Sequence, residues 1–278
     1  MSVIRNINNF IGLFLTVISQ FSRIRIWLLL SVIFFIHWLV LFAHYKFYSP
    51  AFYGLISNWI EVNDQFARGF IHYPGHFLLL PFYFGWAKLI IGTFFEGAIL
   101  GAVAFLFYDQ FSREVSPSLL KSNRFLLWLN LVFAWLVLNS LLVLVNYFLP
   151  ELMKSFLIYS PRRQVVFNYM FMPFLYVMIM AVFYYTIPII AIYRRNSLKA
   201  IKASFKMFLR HPIATIAMAF VVLLAPVLIS FINNAQDIIV DKFSPEMVYY
   251  LLLIGLVIDI PINFLWMGTA TAYLVEKE

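Results

Sequence analysis

Six apolar runs divide this chain of 278 residues: about Ile24 to Tyr45, His76 to Tyr108, Phe125 to Leu149, Val165 to Tyr193, Pro212 to Ile232 and Met247 to Leu274. Each reaches the roughly 20 residues a helix needs to cross a hydrocarbon layer. No water is available there to the backbone, so a spanning segment must satisfy its own N–H and C=O groups, as a helix does. Composition agrees, with 64% hydrophobic and 12% charged residues against roughly 25% charged in soluble domains. The expected fold is all-α: a polytopic transmembrane bundle of about six spans with interfacial amphipathic helices. Residues 1–278 read as one integral membrane domain, with no room for a soluble catalytic domain.

One segment orients the rest. Between Arg194 and His211 stand Arg194, Arg195, Lys199, Lys202, Lys206 and Arg210, with no acid among them. Basic clusters beside spans are retained on the cytoplasmic side, which places both termini there too and predicts a multi-pass protein of the inner (plasma) membrane. Arg5, Arg23, Arg25, Arg113, Lys121 and Arg124 then also lie inside, while the pair Arg162 and Arg163 falls outside, against the trend. Leu198, Ile201, Phe205, Phe208 and Leu209 share one face at helical spacing, and Lys199, Lys202, Lys206 and Arg210 form an adjacent stripe. Such a helix lies in the interface and snorkels its lysines. The six cations are therefore candidate contacts for lipid headgroups or for a partner. The formal charge of +8 sits next to spans, which favours anionic lipids on the cytoplasmic face over nucleic acid.

A comparable stripe, Ile4, Ile7, Ile11, Phe14 and Ile18, precedes the first span, and Ser116-Pro117 followed by Leu119, Leu120, Lys121 and Arg124 precedes the third. The architecture predicted from these is three units, each an interfacial helix plus a transmembrane hairpin. Asn196-Ser197-Leu198-Lys199-Ala200-Ile201, leading through Phe205 to Arg210-His211-Pro212 and a new span, resembles the membrane-anchor domains found with bacterial glycerophosphodiester phosphodiesterases and related six-span families. The resemblance covers about a quarter of the chain. It implies a helical membrane part without a catalytic motif, and no residue role.

Ionisable groups inside spans are the best chemical leads, because a charge at mid-bilayer costs about 2.5–3.5 kcal/mol on insertion scales. They are His37, Lys88, Glu96 and Asp259. Spans two and six bring Lys88 and Asp259 to nearly the same depth. Glu96 lies two turns beyond Lys88, near Gly92, Gly97 and Gly101, where small residues admit another helix. Asn263 follows Asp259, with Pro261 between them freeing a carbonyl in mid-span. The expectation is a buried polar cluster of Lys88, Glu96, Asp259, Asn263 and His37 between spans two and six, either fixing helix packing or lining a path. Asn130, Asn139 and Asn146 of span three are read as packing hydrogen bonds. His72 and His76 could share a zinc ion, but Pro74-Gly75 breaks the helix that would align them.

Cysteine is absent, which removes disulfides and thiolate chemistry. The chain has no phosphate-binding loop, no H-E-x-x-H and no G-x-S-x-G, and neither a cofactor nor a metal is expected. With no N-x-S/T sequon either, a bacterial inner membrane is favoured. The expected function is a non-catalytic subunit or scaffold of a membrane assembly, with lipid handling and contact to other membrane subunits as further expectations. The alternative is a transporter or flippase-like carrier of a lipidic or amphiphilic substrate that uses the polar cluster. An intramembrane enzyme ranks last, since no nucleophile and base match by spacing.

Overall fold

The computed structural model describes residues 11–46, 75–112, 123–157, 160–233, 239–240 and 242–277. Among them all extended elements are helical and there is no strand. In chain order they are α1 (Ile11–Ser22), α2 (Ile24–Tyr45), α3 (Gly75–Phe111), α4 (Arg124–Leu157), α5 (Pro161–Tyr193), α6 (Ser197–Arg210), α7 (Pro212–Asn233) and α8 (Met247–Glu276). Five are long and apolar enough to cross a bilayer, and the α6–α7 pair, bent by 109°, raises that to as many as six. The all-α multi-pass bundle read from the sequence is what forms.

Local chemistry explains the boundaries. Asn123 caps α4, accepting from the N–H groups of Phe125 and Leu126, and Asn196 caps α6 through Leu198. These side chains satisfy donors that a first turn leaves orphaned. Pro161 and Pro212 occupy first-turn positions, where the missing N–H costs nothing. Arg194 ends α5 in the left-handed region at φ 52°. Pro81 and Pro261 sit inside α3 and α8.

Two helices outrun their predicted spans. α4 has 34 residues and α5 has 33, each about 50 Å at 1.5 Å per residue, against about 30 Å of hydrocarbon. Both contain one π-helical turn, Leu144–Phe148 in α4 and Phe167–Phe171 in α5.

Contacts divide the chain into two compact units. The first holds Met1–Leu30, Thr93–Leu224 and Ile262–Glu278. Its core includes Phe107, Tyr184, Tyr185, Ile190 and Phe264; Phe264 stacks on Trp27 at 4.9 Å and meets the edge of Phe107 at 5.1 Å. Close approach there needs small residues. A Cβ on Gly97 would lie 3.1 Å from the carbonyl oxygen of Leu131, and one on Gly268 would overlap the Val17 side chain. The second unit holds Ser31–Gly92 and Ala225–Pro261, around Leu41, Phe77, Leu80, Phe84, Val248, Leu252 and Leu256.

The structure adds an inward side to α6. Ser197, Ala200, Ser204 and Phe208 turn inward onto α4 and α5, whereas Leu198, Phe205 and Leu209 stay exposed beside the lysines. Of the apolar face read from the sequence, Phe208 is buried, while Leu198, Phe205 and Leu209 stay on the outer side. α1 precedes α2 as α6 precedes α7, but residues 1–10 and Ser116–Lys121, on which the threefold repeat also rests, lie outside the described residues.

Candidate functional site

In the second unit, Lys88 of α3 donates to the Asp259 carboxylate of α8 at 2.6 Å. Each charge offsets the insertion cost of the other, which an isolated ion at this depth would carry alone. The side chains remain 31% and 32% exposed, so the pair lines a surface of its unit. His37 of α2 is buried in the same unit, within electrostatic reach of Lys88. The structure thus brings together three of the five residues expected to cluster. Glu96 and Asn263 belong to the first unit.

There Glu96 accepts a hydrogen bond from the Trp135 indole at 3.0 Å. The second half of α3 is fastened to α4 by this bond, by Asn139 donating to Thr93 at 3.2 Å, and by Trp128 donating to the carbonyl of Phe94 at 3.0 Å. Asn146 accepts from the Tyr176 hydroxyl at 2.9 Å, and Asn130 accepts from both the N–H and the hydroxyl of Ser197, at 3.0 and 2.8 Å. All three asparagines of α4 therefore bond across helices, a modest effect of about 0.6 kcal/mol each in membranes.

The most unusual local structure was not anticipated. Pro261, read from the sequence as freeing a carbonyl in mid-span, leaves α8 continuous. The interruption is in α5, where the helix opens at Tyr184 and Tyr185 before resuming at Thr186. Pro188 is the cause, since it lacks the N–H that would bond the carbonyl four residues earlier, that of Tyr184. The Trp266 indole of α8 supplies that donor at 3.1 Å. Ser204 of α6 enters from another side, donating to the Val182 carbonyl at 2.6 Å and accepting from the Tyr185 N–H at 3.3 Å. The phenols are held as well: Tyr184 pairs with Thr269 at 2.5 Å and Tyr185 with Thr215 at 3.1 Å. Tyr184, Ser204, Thr215 and Thr269 are fully buried. Trp135 stacks on Trp266 at 5.8 Å, linking Glu96 to the break. The available signal was a run of hydroxyls, Tyr184-Tyr185-Thr186, four residues ahead of a proline.

The six basic residues occupy the end of α5 and the outer side of α6. Lys199, Lys202, Lys206 and Arg210 are exposed, and Arg195 lies over the Tyr193 ring at 5.7 Å. His72 lies outside the described residues, and among these no group of three or more His, Asp or Glu side chains is placed to hold a metal. No family model, no curated protein and no solved structure matches the chain.

Proposed function

We propose that this protein is a non-catalytic, multi-pass subunit of a bacterial inner-membrane assembly, both termini cytoplasmic, that docks a partner protein through the far end of the α4–α5 hairpin. The supporting observation is length. Asn130 of α4 and Ser197 just after α5 are in contact, so these ends share one side of the bilayer. Tilting about 50 Å of helix into about 30 Å of hydrocarbon would take an angle above about 50°, beyond the range seen for transmembrane helices. The excess, from about the two π turns to Leu157 and Pro161, therefore projects on the other side. It bears Leu152 and Met170, 75% and 68% exposed, with Phe156, Val165, Val166 and Tyr169. Clustered apolar side chains outside the lipid mark a binding surface.

The test is co-purification in mild detergent. The wild-type chain should bring a membrane or periplasmic partner that Leu152→Glu plus Met170→Glu releases, with an unchanged melting temperature because both sites are exposed. A lone chain, or a partner indifferent to both substitutions, would overturn the proposal.

One observation favours a second possibility, a carrier of a lipidic or amphiphilic substrate: the partly open Lys88–Asp259 pair could exchange one partner for a charged headgroup. Lys88→Met and Asp259→Asn chains that fold but lose transport in reconstituted vesicles would support it; wild-type behaviour for both would remove it.

A further inference from the structure

The two sides of α6 face different neighbours. Its inward row places Ser204 in the break of α5, hydrogen-bonded to Val182 and Tyr185. The turn that follows is tied to the same break, since the Thr215 hydroxyl donates to the His211 carbonyl at 2.9 Å and pairs with the Tyr185 phenol. The outward side carries Leu198, Phe205 and Leu209 in one row at helical spacing. Lys199, Lys202, Lys206 and Arg210 flank that row, and no carboxylate of the described residues pairs with any of the four. The 109° bend between α6 and α7 lays α6 along the membrane plane when α7 crosses. The apolar row then rests in the acyl boundary and the cations reach headgroup depth.

We propose that α6 is a latch: it binds anionic phospholipid headgroups on its outer side and, when so held, seats Ser204 in the interrupted span α5. The occupant is argued from charge complementarity, four cations in one stripe with no acid between Arg194 and His211. Each is worth about fivefold in affinity for an anionic surface. Headgroups engage the stripe only when α6 lies flat, and flat is the position in which Ser204 closes the break. A ligand with that preference stabilises the closed form by mass action. This needs only that the chain sits in a bilayer and is independent of any partner at the hairpin end.

Hydrogen exchange of the full chain in nanodiscs tests it, comparing phosphatidylcholine alone with discs containing a third of phosphatidylglycerol. The amides of residues 184–190 should exchange about tenfold more slowly in the anionic discs, as for a ligand at about ten times its Kd. The combined variant Lys199→Gln, Lys202→Gln and Lys206→Gln should lose the slow pattern of the anionic discs, exchanging at the faster, phosphatidylcholine-type rate in both. Ser204→Ala should raise exchange at the break in both discs while still enriching phosphatidylglycerol around the protein. Equal exchange of the wild type in the two lipids would overturn the proposal, as would a glutamine variant that keeps the lipid dependence. Slowing by inorganic phosphate in the neutral discs would likewise rule out a bilayer surface as the ligand. Far-UV circular dichroism confirms that each variant is folded; if Ser204→Ala is not, the glutamine variant still decides.

Discussion

The two units solve the same problem, polar groups at membrane depth, with opposite chemistry. Apart from Glu96, whose carboxylate accepts from Trp135, the first uses neutral donors and acceptors, indoles, hydroxyls and amides, spent on backbone carbonyls or other helices, as with Trp266 on Tyr184 and Ser204 on Val182. The second places a full ion pair, Lys88 and Asp259, where each partner is still about one-third exposed. Neutral bonds cost little to place and lose little when removed, so they suit a network that must merely hold shape. An ion pair is expensive to leave half-made. The difference locates rigidity in one unit and electrostatic sensitivity in the other.

That contrast is easiest to break at the ion pair. Asp259→Asn should destabilise the protein by about 2.5–3.5 kcal/mol, the cost of an uncompensated charge at this depth, measured by chemical unfolding in detergent. Lys88→Met with Asp259→Leu should recover most of the loss, and a double variant no better than the single would show that the two charges do not depend on each other. Next comes packing: Gly97→Val, directed at the Leu131 carbonyl oxygen, should cost about 1–3 kcal/mol through overpacking. Trp266→Phe removes the donor that replaces the one missing at Pro188 and should cost about 1 kcal/mol. Asn139→Leu should cost about 0.6 kcal/mol; a loss as large as at the ion pair would erase the distinction between the units.

The smallest effect concerns pH. His211, after α6, is held below its ordinary value of 6.5 by partial burial and by the charges of Lys277 and Arg210. The fold therefore favours its neutral form, and the stability this contributes is present above pH 6.5 and lost as pH falls through the lower folded value. His211→Gln should flatten a small part of the acid limb of a melting-temperature profile.

The spans were legible because their periodicity is simple: every position in a 20-residue apolar run reports the same solvent. Lys88 and Asp259 could be paired on depth alone, since unlike charges in lipid have few alternatives. Glu96 could not be placed that way. Its partner is the indole of Trp135, and tryptophan in an apolar run reads as bulk rather than as a donor. The break at Tyr184 was hidden for a related reason. Proline is frequent in these spans, and which proline opens a helix depends on whether a neighbouring helix supplies replacement donors, a fact of tertiary contact that no local pattern contains. The inward side of α6 was missed because serine and alanine do not announce burial.

The π turns of α4 and α5 have a consequence of their own. A π turn is an α-helix with one residue added, and one residue corresponds to about 100° of rotation. A π turn closes i→i+5 where an α turn closes i→i+4, so removing a single residue from Leu144–Phe148 or Phe167–Phe171 would let the turn close as ordinary α-helix and leave both flanking halves aimed nearly as before. A deletion at these two places can thus be absorbed without re-aiming the projecting end, whereas one in the regular helix beside them would rotate that end by about 100°.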